Sequence, residues 1–500
     1  MNTNIVIIGG GIGGLSAGCY LQMCGYRTRI VEMNRECGGV CAVWKRGGYV
    51  FDGATNWLVG SAPTINLHAM LNELIDMQSL ELHYSDVFIR IEREGRTLSV
   101  FKDAARLREE MLRLSPGDRA PIEEFTGAIA AVRKFTIPYA KPREAFGMLD
   151  YLKFPFENRR LLLFMRKWSG ISIKEFAARF RDEHLRAMFQ LIFPHHEHFS
   201  MFGLIMALGW MHARSDGYPV GGSAKFTQLL EQRYRALGGV ISLGERVISV
   251  LGDNGRACGV ACAGGTRYEA DIVVSSADSY ETIFGILQGK YLDRGIIRRF
   301  GHWPVYPSLV QVSLGLGRTV VNDVDKYCLP IRDPIRMGSY TAHDMIVRFC
   351  TYDNSFAPAG KTAVVAHIRT PDYQYWCRMR DGMREKYEQE KKAVAEQVIE
   401  SLEYRFGDIA ACVEACDVAT PATFMRFTNI YKGSYQGWAP APGVVARLMR
   451  KTLPGLSNFY MAGQWMWPGG GLTGVIRVSR DVAYSICKND GKKFLCTHTA

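Results

Sequence analysis

Three glycines near the N-terminus have the spacing of a phosphate-binding turn. Gly9, Gly11 and Gly14 form the pattern G-x-G-x-x-G directly after the β-branched run Asn4–Ile8 and before a helical pattern from Leu15 to Cys24. The first glycine permits the turn, the second lets the backbone approach a pyrophosphate, and the third lets the helix pack closely on the strand. The N-terminus of the helix then directs its free N–H groups toward the phosphates. The pattern predicts a strand, a turn and a helix around a dinucleotide.

A carboxylate follows at the position of a ribose-binding acid. Segment 26–32 is predicted to be the second strand, and it ends in Glu32, 21 residues after Gly11. An acid at this place accepts hydrogen bonds from ribose hydroxyls. The alternative is a glycine-rich turn beside a chance carboxylate, which the order of strand, helix, strand and acid disfavours. The fingerprint does not distinguish FAD from NAD.

Two further glycine-rich regions favour FAD. Gly38 and Gly39 follow the second strand, where a glycine pair suits a second approach to the pyrophosphate that a nicotinamide enzyme does not need. Near the other end, the strand-like segment 458–464 leads to the glycine-rich turn 468–474 and to a helical pattern that begins at Val475. Only 26 residues follow this turn, too few for a second dinucleotide fold. We interpret it as a closing strand, turn and helix that point at the same flavin.

Length and composition predict a folded protein with two lobes. The chain has 500 residues, whereas single hydrophobic cores stop growing near roughly 250 to 300 residues. A hydrophobic fraction of 47% and a charged fraction of 22% are typical of a globular protein. The N-terminus lacks the pattern of a secretory signal, and the 13 cysteines are scattered as in proteins with reduced thiols. We therefore expect a cytoplasmic protein.

The charge of the chain raises two questions about partners. The formal net charge is +12, which attracts either nucleic acid or the anionic lipids of an inner leaflet. No zinc finger, RRM signature or arginine-rich arm supports nucleic acid, so we expect no nucleic-acid partner. No uncharged apolar run reaches the roughly 18 residues of a membrane span. A peripheral contact with an anionic membrane remains open, and the sequence does not indicate an oligomeric state.

Together, these motifs resemble the phytoene desaturase, carotenoid isomerase and retinol saturase group of FAD-dependent oxidoreductases. The resemblance covers nearly the whole chain. In chain order it rests on the opening glycines, Glu32, Gly38 with Gly39, the G-Y-x-F-D stretch that ends at Asp52, the turn 217–222, segments 245–250 and 271–278, segment 353–361, segment 419–421, segment 433–438 and the glycine-rich stretch 463–471.

The resemblance implies an α/β fold with a Rossmann-type FAD-binding domain of the two-dinucleotide-binding-domain flavoprotein type and an interleaved α+β substrate domain. The predicted division assigns residues 1–75, 216–290 and 446–500 to the FAD-binding domain and residues 76–215 and 291–445 to the substrate domain. The implied reaction is hydride transfer between flavin N5 and an allylic carbon of a long apolar isoprenoid or polyene lipid. It desaturates, isomerises or saturates a CH–CH bond.

The motifs and the resemblance together give a set of predicted FAD contacts, with Val247 near the adenine. These residues are Gly9, Gly11, Ile12, Gly13, Gly14, Glu32, Gly38, Gly39, Val40, Asn56, Trp57, Val247, Ala277, Gly463, Gln464, Gly471, Leu472 and Thr473. Three positions depart from the group's pattern. Gly53 with Ala54 shifts the glycine that is expected shortly after Asp52. Val40 stands where a basic residue is common, so we expect either no charge contact to the pyrophosphate or one from Lys45 or Arg46. Thr473 stands where a proline is usual.

The sequence does not identify catalytic residues. Asn56 and Gln464 suit hydrogen bonds to flavin atoms, and we interpret them as contacts rather than acids or bases. Trp57, Trp465 and Trp467 suit either a wall beside the isoalloxazine or ordinary core packing. In this class the flavin carries the difficult chemistry, and the protein supplies position and a dry channel.

A histidine cluster invites a metal interpretation. His195, His196, Glu197 and His198 are ligand types for zinc, but they lack the i, i+4 pair of H-E-x-x-H and a nearby cysteine. We expect no metal.

The segment from Phe146 to Trp210 is apolar, aromatic and basic. It is typical either of a substrate-domain core or of a surface that dips into one leaflet. Two other functions remain open. The first is a flavin amine oxidase, which a basic chain disfavours because it repels cationic substrates. The second is a protein that binds FAD without catalysis.

Overall fold

A computed structural model describes residues 3–53, 57–193, 198–445, 447 and 449–496. The strands are β1 Asn4–Ile8, β2 Arg27–Val31, β3 Val43–Arg46, β4 Tyr49–Asp52, β5 Leu58–Val59, β6 Leu82–His83, β7 Val87–Arg93, β8 Arg96–Phe101, β9 Asp216–Pro219, β10 Val240–Ser242, β11 Val247–Asp253, β12 Arg256–Cys262, β13 Arg267–Glu269, β14 Ile272–Ser275, β15 Ser308–Leu316, β16 Lys326–Met337, β17 Tyr340–Phe349, β18 Thr362–Thr370, β19 Val413–Ala419 and β20 Phe459–Met461. The α-helices are α1 Ile12–Met23, α2 Leu67–Asn72, α3 Ala104–Leu114, α4 Arg119–Ala131, α5 Met148–Glu157, α6 Arg159–Trp168, α7 Ile173–Ala177, α8 Glu183–Gln190, α9 Met201–His212, α10 Gly222–Ala236, α11 Arg294–His302, α12 Tyr373–Gly382, α13 Arg384–Phe406, α14 Pro421–Thr428 and α15 Leu472–Asn489.

A five-stranded sheet has the order β10-β2-β1-β14-β20, and its neighbouring strands pair in parallel. The first strand lies in the middle, between β2 and β14. In open parallel sheets, ligands bind outside the carboxyl ends of the strands, where the connections diverge to the two sides. The carboxyl end of β1 leads directly into Gly9. The sheet is of the Rossmann type, as the sequence predicts, and it places the glycine turn at this edge.

Three helices from distant parts of the chain pack together on this sheet. Helix α1 is buried along most of its length between α10 and α15. Close approach requires small residues, since a Cβ added at Gly18 would lie 2.5 Å from the Tyr234 ring of α10. On the other side, the Ser479 hydroxyl of α15 donates to the Gly13 carbonyl at 2.8 Å. The last helix is thereby docked against the glycine turn.

A second, seven-stranded sheet has the order β19-β15-β18-β17-β16-β7-β8, antiparallel except for the pair of β16 with β7. Successive side chains of a strand point to opposite faces. One face is apolar and packs against α12 and α13. The alternate positions include polar side chains on four neighbouring strands: Gln311, Lys326, Arg348 and His367. One face of this sheet is therefore apolar, and the other carries polar and charged side chains.

The segment from Phe146 to Trp210 is buried in one part and exposed in another. Helix α9 is largely buried in the core beneath the seven-stranded sheet, whereas α5 has no buried residue. Met148 and Phe156 of α5 are 82% and 83% exposed. The core interpretation is right for α9 and wrong for α5.

The strands of the parallel sheet lie in the segments assigned to the FAD-binding domain, and those of the seven-stranded sheet lie in the segments assigned to the substrate domain. The boundaries at residues 75, 215, 290 and 445 stay a prediction. Among the described residues, no helix combines the length and apolar character of a membrane span.

Candidate functional site

A cavity of about 380 Å³ lies at the carboxyl edge of the parallel sheet. Most of the predicted contact residues line it: Gly9, Gly11, Ile12, Gly13, Glu32, Gly38, Gly39, Val40, Trp57, Val247, Ala277, Gly463, Gln464, Gly471, Leu472 and Thr473. Gly14 is not part of the lining, and Asn56 falls outside the described residues. The structure thus brings together residues from segments that are far apart in the chain.

The glycines of the first turn have different roles. A Cβ at Gly14 would lie 1.9 Å from the Gly9 carbonyl oxygen, so this glycine is required for packing of α1 on the turn. Gly11 has an ordinary φ of −73°, and a Cβ there would meet no protein atom closer than 3.8 Å. Because the fold does not require a glycine at this position, its bare backbone leaves room in the cavity for a ligand.

Glu32 is held at the cavity wall by the backbone. Its Oε2 accepts the Gly10 N–H at 2.6 Å, and its Oε1 accepts the backbone and side-chain N–H groups of Asn34 at 2.8 and 2.9 Å. The carboxylate is 5% exposed. These bonds fix its orientation and keep both oxygens at the place where the sequence predicts a ribose.

The second glycine pair lies directly against the first turn. Gly11 and Gly38 form a parallel bridge, and the Gly38 N–H donates to the Gly10 carbonyl at 3.1 Å. Val40 lines the cavity, but Lys45 and Arg46 lie on the hairpin of β3 and are not part of the lining. Arg46 instead pairs with Asp417 at 3.1 Å. The expectation that one of these two cations replaces a basic residue at Val40 is therefore wrong.

A half-buried arginine that the sequence reasoning missed also lines the cavity. Arg477 lies on α15, stacks on the Trp467 ring at 4.7 Å, and has an Nε with no hydrogen-bond partner among the described residues. Burial lowers the pKa of its guanidinium. Its only sequence signal is its place one turn after the C-terminal glycines. An unpaired buried N–H is costly unless a ligand accepts it.

Asp278 was also missed as a lining residue. Its carboxylate accepts the backbone N–H groups of Tyr280, Glu281 and Tyr431, and burial raises its pKa to about 6. With Arg246 paired to Glu281 at 3.5 Å, it belongs to a charged network at the same end of the cavity as Val247. This end is polar and acidic.

Asp52 joins two motifs that are distant in sequence, the G-Y-x-F-D stretch that ends at this residue and the turn 217–222. It is fully buried, and its carboxylate accepts the Ser223 backbone N–H at 2.9 Å, the Ser223 hydroxyl and the Tyr218 hydroxyl at 3.1 Å. The G-Y-x-F-D strand thereby holds the glycine turn before α10. Its role here is structural, and Asp52 does not line the cavity.

The other end of the cavity is apolar and aromatic. Trp57, Ile137, Trp210, Tyr435 and Trp467 line it. Ring contacts of 5.4 to 6.1 Å between centroids form a path behind this wall through Trp57, Phe88, Phe193, Phe199, Tyr306 and Tyr435. Such pairs stabilise a fixed wall beyond the area that they bury. Trp465 is almost fully buried, whereas Trp57 and Trp467 face the cavity more openly.

The family model described as flavin containing amine oxidoreductase matches residues 12–487. This chain belongs to that family. It is 24% identical to the chloroplastic prolycopene isomerase of Arabidopsis thaliana over 94% of this chain and 80% of the relative. It is also 24% identical to a lycopene-forming phytoene desaturase of Pseudescherichia vulneris over 96% of this chain and 98% of the relative.

Solved structures agree on the fold. Cyclohexylamine oxidase from Brevibacterium oxydans superposes with a TM-score of 0.58 at 14% identity, over 98% of this chain and all of that chain. At this low sequence identity, the similarity shows a shared fold and nothing more specific. The likeness therefore does not assign a substrate, since one fold can host many different reactions.

The residues present fit the flavin of the family. Gly11 leaves a gap that the fold does not need, Glu32 presents an oriented carboxylate, and Arg477 presents a buried N–H without a partner in the described chain. The protein is an FAD-dependent oxidoreductase. No group of three His, Cys, Asp or Glu side chains in the described residues is arranged to hold a metal, and His195, His196 and Glu197 fall outside those residues.

Proposed function

We propose that this flavoenzyme transfers hydride between flavin N5 and an allylic carbon of a long apolar polyene or isoprenoid lipid. The functions of the relatives, prolycopene isomerisation and phytoene desaturation, support this substrate class. The observation that carries the proposal is the chemical division of the cavity. Apart from Arg477, the charged side chains of its lining are Glu32, Glu245, Arg246, Asp278 and Glu281, whereas Trp57, Ile137, Trp210 and Tyr435 form an apolar and aromatic wall.

An apolar chain gains affinity from such a wall because removal of apolar surface from water contributes about 25 cal/mol per Å². Trp57 and Trp210 orient the chain and exclude water. Arg477 holds a fixed cation beside Trp467, where it can donate to a polar atom of the cofactor. When bound, FAD supplies the hydride acceptor or donor. Among the described residues, this end offers no Asp, Glu, Lys or His in the lining as an acid or base. That agrees with chemistry that needs none.

The test is an anaerobic absorption experiment on the purified flavoprotein with extracted isoprenoid lipids. Bleaching of the oxidised flavin by lipid indicates desaturation, and reoxidation of prereduced flavin indicates saturation. Product analysis detects isomerisation, which leaves no net redox change. If polyamines instead produce hydrogen peroxide and no lipid is converted, the enzyme is an amine oxidase and the proposal is wrong. If flavin is bound and nothing is converted, the non-catalytic alternative gains support.

The role of the wall is tested by Trp57→Ala. We expect the lipid-dependent rate per bound flavin to fall about tenfold or more, since loss of a buried aromatic contact costs roughly 1.5 to 3 kcal/mol. The rate is divided by the flavin content because Trp57 is also a predicted FAD contact. Trp44→Ala is the matched control, because Trp44 lies on β3 outside the cavity lining and bonds to Asp417. Equal effects of the two substitutions would contradict a role for the wall in substrate binding.

We also propose that the enzyme takes its substrate from an anionic membrane surface through α5 and α6. The apolar side chains Met148, Leu149, Leu152 and Phe156 are exposed on α5. The basic side chains Lys153, Arg159, Arg160, Arg166 and Lys167 on these helices are exposed beside them. Apolar side chains next to cations suit the boundary between acyl chains and anionic headgroups.

This surface is close to the aromatic end of the cavity. Helix α6 packs against α9, which carries Trp210 of the cavity wall. Ile137, eleven residues before Met148, lines the cavity and bonds through its backbone to Asn66. A lipid that leaves the bilayer at α5 would therefore have a short route inward.

Vesicle sedimentation tests the membrane contact. The wild-type protein should bind phosphatidylcholine vesicles that contain phosphatidylglycerol and should bind pure phosphatidylcholine weakly. The double variant Met148→Ser, Phe156→Ser should lose at least about tenfold in affinity, because two exposed anchors would no longer enter the bilayer. Val321→Ser is the control, since Val321 is 94% exposed in another region. Equal binding by all three proteins would contradict the proposed surface.

A further inference from the structure

A second, small cavity of about 40 Å³ lies behind Trp57. The Trp57 side chain is part of the wall of both cavities. The charged side chains that line the small cavity are His83, Lys102, Asp216, Asp325, Lys326 and Arg348, together with the phenols Tyr218 and Tyr352. It therefore combines a strongly polar lining with direct contact to the aromatic wall of the larger cavity.

Most of these charges are neutralised within the protein. Asp216 pairs with Lys102 at 2.5 Å, and Asp325 pairs with His83 at 2.7 Å. The Arg348 guanidinium donates to the Asp52 carbonyl at 3.4 Å. The two carboxylates are thus already engaged by neighbouring groups.

Lys326 is different. Its ammonium lies 3.8 Å from the centre of the Phe88 ring and 5.3 Å from that of Trp57, and no hydrogen bond or ion pair joins it to any residue in the described part of the chain. Burial of the amine, followed by the nearby Lys102, Arg348 and Arg369 cations, lowers the pKa of Lys326 well below its ordinary range, and the Asp216 carboxylate acts in the opposite direction. An amine that lies among cations without an ion pair of its own is stabilised by an anionic group that can pair with it.

We infer that the small cavity binds the carboxylate terminus of an apolar chain whose body lies in the larger cavity. The substrate would then be an amphiphilic polyene acid and not a pure hydrocarbon. The size agrees, since one water needs roughly 10 to 15 Å³, and 40 Å³ holds a group of about three heavy atoms. A phosphate is larger. The inference rests on the proposed function, because it requires an apolar chain beside Trp57.

Binding would couple to protonation. The carboxylate arrives as an anion and forms an ion pair with Lys326 in the small cavity. An anion beside the amine raises the pKa of Lys326 from its lowered value, so binding is accompanied by proton uptake from solvent. The body of the chain contributes its apolar contacts whether or not this pair forms. An ester or an alcohol of the same chain would make the apolar contacts without the ion pair and without proton uptake.

The experiment compares cis-parinaric acid, its methyl ester and its alcohol on the purified holoenzyme. Fluorescence titration gives each dissociation constant, and calorimetry in two buffers of different ionisation enthalpy gives the proton uptake. We expect the wild-type enzyme to bind the acid at least about tenfold more tightly than the ester or alcohol, a difference of 1.4 kcal/mol, with proton uptake only for the acid.

Lys326→Met should abolish the preference for the acid and the proton uptake while it leaves ester binding within about twofold. It should also raise the thermal midpoint, because a buried unpaired amine is removed. Lys392→Met is the control, since that lysine is 79% exposed on α13. If Lys326→Met does not fold, Lys326→Gln and the three wild-type titrations still decide the question.

The outcomes separate this inference from the proposed function. Tight binding of acid, ester and alcohol alike would overturn the carboxylate site and leave the apolar channel intact. Failure of all three ligands to bind would count against the proposed function itself. Acid preference that survives in Lys326→Met would place the carboxylate elsewhere and overturn the assignment.

Discussion

The two ends of the large cavity are built in opposite ways. At the end near Glu32, backbone N–H groups, glycines and acidic side chains form the wall, and the key contacts come from short stretches of sequence. At the end near Trp57, large side chains from separate elements form the wall, and behind it lie four basic side chains with two carboxylates. Cofactor recognition thus depends on close backbone approach, which one methyl group can block. Substrate binding at the other end depends on packing and charge, so we expect single substitutions there to reduce it gradually.

The largest effect is expected for the glycine turn. Gly14→Ala should yield no stable protein, because its Cβ would lie 1.9 Å from the Gly9 carbonyl oxygen, an atom of the backbone that cannot move aside. Gly11→Ala should fold, since no protein atom is closer than 3.8 Å, but should lose flavin because the methyl group enters the cavity. Circular dichroism and the ratio of flavin to protein absorbance distinguish the two results.

Gly117→Ala is the control for this pair, because its Cβ would meet no atom within 4 Å and its φ is not positive. It should keep both fold and flavin. If Gly11→Ala retained the wild-type flavin content, the cavity at Gly11 would not be the phosphate site, and the backbone nature of this end would be in doubt.

The pH dependence of stability tests the effect of the basic side chains near Trp57, through the nearby His367. Burial, then the Arg348 and Arg369 cations, lower the pKa of His367 to about 3. Below pH 6.5 the unfolded chain binds a proton that the folded chain refuses, so stability falls as pH falls from about 6.5 toward 3. Each tenfold difference in proton affinity is worth about 1.4 kcal/mol, so the effect is on the order of a few kcal/mol. In His367→Gln, which can still bond to Gln311, the thermal midpoint should fall less steeply over this range. If the thermal midpoints of the wild-type protein and His367→Gln fell equally steeply with pH, this role of His367 would be contradicted.

The acidic end should respond with the opposite sign. Burial raises the pKa of Asp278 to about 6 from an ordinary value of 3.8. The folded chain therefore keeps a proton that the unfolded chain releases, and this contribution to stability is present below pH 3.8 and lost as pH rises through 6. Relative to Asp278→Asn, the wild-type midpoint should decline between pH 4 and 6, by a smaller amount than the His367 effect. The slope of the thermal midpoint against pH decides the question. Loss of the carboxylate as a hydrogen-bond acceptor changes the midpoint of Asp278→Asn by the same amount at every pH, so it does not alter that slope.

The sequence predicts the two ends unequally, for a physical reason. Gly9 to Gly14 and Glu32 act through local backbone geometry, so their spacing alone indicates the turn and the acid. Arg477, Trp210 and Tyr435 reach the cavity only because α15, α9 and the segment before β20 are packed around it, and no local pattern encodes that. Lys326 illustrates the limit, since it looks like any strand lysine until the sheet places it among other cations. Lys45 and Arg46 illustrate the converse, because proximity in sequence suggested a contact that the β3 hairpin prevents.

The smallest predicted effect tests whether the acidic end acts by specific bonds or by its total charge. Glu32→Gln keeps one oxygen acceptor but turns an NH₂ group toward the N–H of either Gly10 or Asn34, and that N–H loses the acceptor to which it donates. A hydrogen bond to a charged group is worth about 1.5 to 3 kcal/mol, and part of it is retained, so the Kd for FAD should rise about tenfold. Flavin titration of the apoprotein measures this. Glu245→Gln removes the same charge from the same cavity but only a bond from Thr266, and it should change the Kd by less than about threefold. If both variants weaken FAD equally, the net charge of this end matters, and the oriented carboxylate at Glu32 does not.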